Sequence, residues 1–507
     1  MLKLTHYLQR GAFLLALGLG TAACDKAVEV NPQNNLDAST GFKTPQDVNA
    51  GLLGCYSNLQ SGNYMGLRYV VFADMAADNA RHRGTFPTFA QIAQNQILPD
   101  NVELVNIWNT IYAGINSANY VIQQAGQITD ATFDQKDAIA EARALRAYHY
   151  MNLLGYWGGS TQGYGFPDGV GVPLRLTPTT NITDGAISPI ARSTEAQVNA
   201  AIREDLDYAA ANDATISPSG SGKARLSKAS ILGLRARFEL RQRNYAAAVD
   251  FATQALATAS PNALEPSYGT IFSQKFSQEA LWELTFDAVN SNAYAFFWFP
   301  AANGGRGEIG VNAGLAAAHI ASGTGDERRV VNVVEGSTAT PTYIASTTRK
   351  YFRVGTGDDG VQLIRLGEIV LIRAEAQAQL GNLADATLQL NRIRTRAKLL
   401  PIVVGPIPPP TTPPAPPVPP AIYIVPDAAD PTGQQRLLNQ IARDRRLELA
   451  NEGHRWFDLR RTNTVNAVLN PTNNANSAYA QAFRNLWPIP QREVFNSAGL
   501  VKQNDGY

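Results

Sequence analysis

The chain has 507 residues, 45% of them hydrophobic and 17% charged, with a formal charge of +1. That length is ample for a large buried core, and the near-neutral balance offers no basic field to a phosphate backbone, so nucleic acid is excluded as a partner class. With two cysteines, Cys24 and Cys55, no disulfide framework carries the fold, which must rest on packing.

The N-terminus reads as an address. Lys3 and Arg10 precede an apolar run over 11–20, too short for a bilayer, which needs about 20 residues. Residues 1–23 are therefore expected to be a secretory signal peptide. Thr21-Ala22-Ala23-Cys24 resembles a bacterial lipobox, apart from Thr21, where Leu is usual. Cys24 is the expected lipidation site and first mature residue; ordinary cleavage after the small residues is the alternative. Each buried acyl methylene adds about 0.8 kcal/mol of membrane affinity. Residues 24–40 form a polar tether, and one domain fills 41–507.

Beyond the tether the pattern is mostly helical. Trp108, Ile111, Tyr112, Ile115, Ala118 and Ile122 recur at three/four spacing within 100–126, and 137–155 is rich in Ala, Leu and Tyr. Loops rich in Gly, Pro, Ser and Thr interrupt at 158–184 and 212–222. An internal repeat aligns 234–248 (LRARFELRQRNYAAA) with 372–386 (IRAEAQAQLGNLADA) without gaps. Each copy is read as helix, tight Asn-containing turn, Ala-rich helix, a tetratricopeptide-like pair. Segments 137–156 and 437–461 could supply helices for further pairs. The stretch 401–426 carries a proline tract that excludes helix and favours polyproline II. It is expected to be a stiff surface insertion; a docking ligand for an aromatic groove is the other reading.

Enzyme motifs are weak. Residues 305–310 (GRGEIG) match G-x-G-x-x-G, but no βαβ pattern surrounds them. Residues 220–223 (GSGK) lack the upstream Gly and the following Ser or Thr of a phosphate loop. The five histidines, His6, His82, His149, His319 and His454, have no metal-ligand spacing, so neither metal nor cofactor is expected. Glu448, Glu452, His454 and Asp458 could be imagined as a catalytic cluster, but alternating charge along a helix is usually a salt-bridged face. Asp444, Arg445, Glu448 and Glu452 stand at spacings that place acid and base on shared faces.

Four blocks resemble the SusD/RagB family in its own order. They are 141–155 (EARALRAYHYMNLLG) with 171–174 (GVPL), 365–376 (RLGEIVLIRAEA), 443–460 (RDRRLELANEGHRWFDLR), and 486–491 (LWPIPQ) with the ending 504–507 (NDGY). Lesser matches are 108–116 (WNTIYAGIN) and 326–328 (DER). Asp444, where the family usually has Glu, and the proline-rich stretch are departures. The resemblance implies a mainly α fold: tetratricopeptide-like helix pairs forming a curved scaffold, with a loop-rich irregular part that binds ligand. It implies a non-catalytic nutrient-binding lipoprotein, surface-exposed on the cell outer membrane of a Bacteroidetes-type bacterium. Such a protein captures oligosaccharide and hands it to a SusC-like TonB-dependent transporter. Peptide capture, as in the RagB branch, a helical-repeat adaptor and a surface glycosidase are the alternatives.

Family members that bind glycans use exposed aromatics from variable segments. Two segments here fit, 64–89 and 290–299. Their candidate ligand-binding residues are Tyr64, Arg81, Phe86, Phe89, Tyr294, Phe297 and Trp298. The other five tryptophans lie within or beside framework motifs, which singles out Trp298.

Overall fold

The computed structural model describes residues 42–179, 189–212, 220–323, 325–334, 347–408, 420–470 and 481–507. The expected signal peptide 1–23, the lipidation site Cys24, the tether 24–40 and residues 409–419 of the proline-rich stretch lie outside the described residues.

The described residues open on helix α1 (Pro45–Gln60), whose start is set by a Thr44/Asp47 capping box with Pro45 in the first turn. Helix α2 (Arg68–Met75), strand β1 (Ala80–His82) and helix α3 (Pro87–Ala93) follow. The two strongest periodic segments become α4 (Val102–Ala125), capped by Asn101, and α5 (Gln135–Trp157), capped by Asp134. After strands β2 (Val170–Pro173) and β3 (Arg192–Thr194) come α6 (Glu195–Asn212), α7 (Lys228–Arg241) and α8 (Tyr245–Thr258). Strand β4 (Ala280–Leu284), short helix α9 (Tyr294–Trp298), β5 (Ile309–Val311) and α10 (Ala313–Ser322) precede β6 (Val361–Arg365). Then come α11 (Leu366–Gln379), α12 (Leu383–Arg396), β7 (Ile402–Val404), β8 (Ile422–Ile424), α13 (Gln434–Glu448), α14 (Arg455–Arg461) and α15 (Gln491–Asn496).

Helices pack in a continuous series: α1 on α4, α4 on α5, α5 on α6, α6 on α7, α7 on α8, α8 on α11, and α11 on both α12 and α13. This is the mainly helical, tetratricopeptide-like scaffold read from the repeat. The repeat itself is exact in backbone geometry. Arg243 and Gly381, at matching positions, both adopt left-handed backbone, with φ of 60° and 82°. The following asparagines close the same bond: the Asn244 N–H reaches the Glu239 carbonyl at 2.9 Å, and the Asn382 N–H reaches the Gln377 carbonyl at 2.9 Å. That is a Schellman turn, and the asparagine side chains add a second matching pair of bonds, Asn244 donating to the Glu239 carboxylate at 3.0 Å and Asn382 to the Gln377 side-chain carbonyl at 2.7 Å. Ala236 and Ala374, and Ala248 and Ala386, are fully buried, so small side chains let the paired helices approach.

The described strands form two-stranded ladders, with β1–β5, β2–β3 and β4–β6 antiparallel. At the base of the proline-rich stretch β7 and β8 pair in parallel, Ile402 opposite Ile422. Asn391 clamps this base, donating to the Ile402 carbonyl at 2.9 Å and accepting from its N–H at 2.8 Å. Segment 305–310 leads into β5 of an antiparallel pair, with no βαβ unit around it among the described residues. Its glycines serve a tight turn. Gly307 has φ of +66°, and a side chain at Gly305 would overlap the Phe299 carbonyl. Lys223, in the loop resembling a phosphate loop, is committed to the Ser277 carbonyl at 2.7 Å.

The charged motifs meet in a buried ion network, and here the expectation of pairs along one helix face is corrected. Asp444 binds Arg328 at 3.0 Å and Arg394 at 2.9 Å, Glu448 binds Arg365 at 2.7 Å and Arg396 at 2.5 Å, and Glu452 binds Arg365 at 2.7 Å and Lys350 at 2.5 Å. Arg445 pairs with Asp458 of α14 at 2.9 Å. The partners come from other elements because this end of α13 is buried rather than solvated. Motif 326–328 belongs to the same network, Arg328 holding Asp326 at 2.8 Å. Block 141–155 meets the C-terminal block instead. The Tyr156 and Trp487 rings stack with centroids 3.8 Å apart, and the indole of Trp157 donates to the Pro488 carbonyl at 2.9 Å.

The network gives acid lability a definite window. Burial opposes ionisation of Glu368 and Glu448, yet Arg237, His454 and Arg445 around the first, and Arg396, Arg365 and Arg328 around the second, hold both carboxyls down to about 2, from an ordinary 4.5. The unfolded chain therefore takes up protons near 4.5 that the folded chain refuses until about 2, and stability falls with pH through that interval. Asp74, pushed up to about 6 by burial, acts oppositely, but only above its ordinary 3.8. The expected result is a melting temperature that drops most steeply between pH 4.5 and 2 in calorimetry. A flat profile there would contradict the network.

Candidate ligand-binding site

The two aromatic-rich segments lie more than 200 positions apart, and one ladder brings them together. Strand β1 pairs with β5, Arg81 opposite Gly310 and His82 opposite Ile309. The turn after β1 is fixed by Glu308, which is buried. Its carboxylate accepts from the Phe86 N–H at 2.6 Å and contacts His82 Nε2 at 2.8 Å and Arg306 Nε at 2.9 Å. Burial would raise this carboxyl, but these partners outweigh it and hold it below its usual range. With the Phe86 N–H satisfied and Pro87 in the first turn, α3 starts there. Arg83 crosses to the other segment, donating to the Gly307 carbonyl at 2.9 Å and the Trp298 carbonyl at 3.1 Å.

On this frame the rings cluster. Phe89 and Phe297 stack with centroids 5.9 Å apart, Phe86 sits 5.4 Å from Phe89 and 6.2 Å from Phe297, and Phe296 lies edge-on to Phe297 at 5.8 Å. The Arg306 guanidinium covers the Phe86 ring at 4.0 Å. Phe296 is 42% exposed, and Phe86, Phe297 and Arg81 are half-buried. The surface is thus an open ring edge and two partly covered rings beside the exposed guanidinium of Arg306, which is held by Glu308 and by the Thr85 hydroxyl at 3.2 Å.

Four of the seven candidates are corrected. Tyr64, Phe89, Tyr294 and Trp298 are fully buried in the core and present no face to a ligand. Residues 294–298 form a helix, so Tyr294 and Trp298, four apart, share its inward face and Phe296 points away. Tyr294 stacks on Tyr351 at 4.2 Å and donates to the Met65 carbonyl at 2.7 Å. Tyr64 lies under α5, accepting from the Asn152 amide at 2.7 Å with its hydroxyl 3.1 Å from His149 Nδ1. Phe89 is the floor on which Phe297 rests. All six tryptophans are buried, so Trp298 does not stand apart from the other five. Phe296, Arg306 and Glu308 went unrecognised in the sequence. Phe296 would have followed from reading 294–298 at helical period; Arg306 and Glu308 depend on contacts across the β1–β5 ladder and leave no local signal.

The fold and the patch define a tetratricopeptide-like protein that carries an aromatic and cationic surface on segments outside its helical series. The chain belongs to the SusD family: a model described as SusD family matches residues 327–507, and one described as starch-binding associating with outer membrane matches residues 28–240. SusD-like protein P38 of Formosa agariphila is 24% identical over 98% of both chains. A laminarin binding SusD-like protein superposes with a TM-score of 0.72 at 20% identity, covering 92% of this chain and 100% of its own. Surface glycan-binding protein A from Bacteroides thetaiotaomicron does so with a TM-score of 0.71 at 18% identity, with the same coverage. Among the described residues no helix is long and apolar enough to cross a membrane.

Proposed function

We propose that the protein is a cell-surface lipoprotein that captures oligosaccharide and delivers it to a SusC-like TonB-dependent transporter, anchored in the outer membrane through Cys24. The observation that carries the reading is the convergence of Phe86, Phe296, Phe297 and Arg306 on one patch outside the helical series. Flat rings stack on the C–H faces of sugars, and a guanidinium fork donates to hydroxyls. The carboxylate that contacts this patch, Glu308, is buried and engaged by three partners, which favours capture over hydrolysis. The names of the laminarin-binding and glycan-binding structural neighbours support the ligand class.

The test is affinity electrophoresis of residues 25–507 on a panel of polysaccharides, with calorimetry on those that retard it. Phe296→Ala is expected to weaken binding of the retarding glycan about tenfold while leaving the melting curve in place, because the ring is exposed. Arg306→Ala should weaken it too. A panel with no retarding glycan, or variants that bind like the parent, would overturn the reading; retardation by peptides alone would redirect it to peptide capture.

A further inference from the structure

Behind the turn at 300–307 lies a second concavity of different chemistry. It encloses about 550 Å³, and its walls include Phe299, Val330, Val331 and Phe352, with Thr270 and Arg349 at the polar side. Among the described residues no carboxylate lines it. Val330 is 64% exposed and Phe352 39% exposed, large apolar side chains left open at a concave surface. The wall is braced: the Arg353 guanidinium lies 5.0 Å from the Phe352 ring centre and donates to the Ser273 carbonyl at 2.9 Å. The Arg349 backbone N–H is tied to the Val331 carbonyl at 2.7 Å, which sets its side chain beside the cavity. Arg349 is exposed, and among the described residues its guanidinium has no ion pair or hydrogen bond.

The geometry points to a binding site for an apolar group that carries a carboxylate. The volume falls within the roughly 300–1,000 Å³ typical of small-molecule sites. The apolar walls would cover a ring or branched chain, and the unpaired, planar guanidinium fits a carboxylate with two parallel hydrogen bonds. Its lining, which also includes Ser267 and Ser273, shares no residue with the aromatic patch. The site is therefore distinct from the aromatic patch and independent of the glycan reading. Two sources supply this chemistry: a free aromatic acid, or the C-terminal residue of an apolar peptide.

The experiment titrates the protein, residues 25–507, with p-coumarate, N-acetyl-L-phenylalanine and N-acetyl-L-phenylalanine amide by calorimetry. At least one acid is expected to bind, and the amide at least about tenfold more weakly than its acid, the loss of one charge-assisted contact. Arg349→Gln should remove that preference, and Val330→Asp should abolish binding by placing a negative charge in the apolar wall. Both positions are exposed, so melting curves should not move, and Phe296→Ala should leave these affinities unchanged. Binding of p-coumarate alone identifies free aromatic acids; binding of the acetylated amino acid identifies a peptide C-terminus. No binding of either acid, an amide that binds as tightly as its acid, or an Arg349→Gln variant that keeps the preference overturns the proposal.

Discussion

Replacing Arg365 by methionine is expected to destabilise the protein by about 3–5 kcal/mol, the cost of leaving a buried charge without its partner. Arg365 is fully buried and serves two carboxylates at once, bonding Glu448 at 2.7 Å and Glu452 at 2.7 and 2.8 Å. It also donates to the Glu448 backbone carbonyl at 2.8 Å. Methionine matches much of the volume and keeps the apolar packing, so the loss reports the charge. Lysine should rescue little, because one ammonium cannot reproduce the fork. The control is Arg436→Met, whose partner Asp427 has a side chain 57% exposed and whose removal should shift stability by less than about 1 kcal/mol. Urea unfolding of the three variants decides the matter. Equal midpoints for Arg365→Met and Arg436→Met would show that the buried network does not hold the scaffold.

The second large effect concerns Trp298. Trp298→Ala should cost about 3–5 kcal/mol of stability, the range for removing a large buried aromatic. Ligand affinity of the folded fraction should fall far less than in Phe296→Ala. The two residues stand two apart on one short helix, yet one is 0% and the other 42% exposed. Denaturant midpoints and calorimetric affinities measured on both variants separate the roles. If Trp298→Ala kept full stability and lost binding, the inward assignment of this face would fail.

What the sequence disclosed follows from which signals are local. The long helices were legible because Trp108, Ile111, Ile115 and Ile122 repeat at helical period and the caps Asn101 and Asp134 stand where the pattern begins. The repeat was legible because the alanines at 236/374 and 248/386 and the asparagines at 244/382 recur at one offset, each needed for close helix packing or for the turn. Five residues, in contrast, cannot distinguish a strand from a helix: in 294–298 aromatics recur at both two and four positions, and the burial turned on the spacing of four. Three-residue strands such as β1 and β5 carry no period at all. The charged run 443–460 announced pairing but not the partners, since Arg328, Arg365 and Arg396 reach Asp444 and Glu448 from other elements. The aromatic patch was half legible. Its two segments were visible as aromatic-rich departures from the framework, but the pairing of Arg81 with Gly310 that unites them is a tertiary fact.

The clamp at the foot of the proline-rich stretch has a practical side. Because β7 and β8 run parallel, the chain must travel back along the ladder between Val404 and Ile422, a return that takes a dozen or more residues. The scaffold therefore specifies a minimum length between those points, through the Asn391 bonds and the ladder. A fluorophore-bearing cysteine at Ile407, which is 67% exposed beside the ladder, would ride on a fixed mount. Shortening the same interval would pull the two strands out of register and loosen α12 where Asn391 holds them.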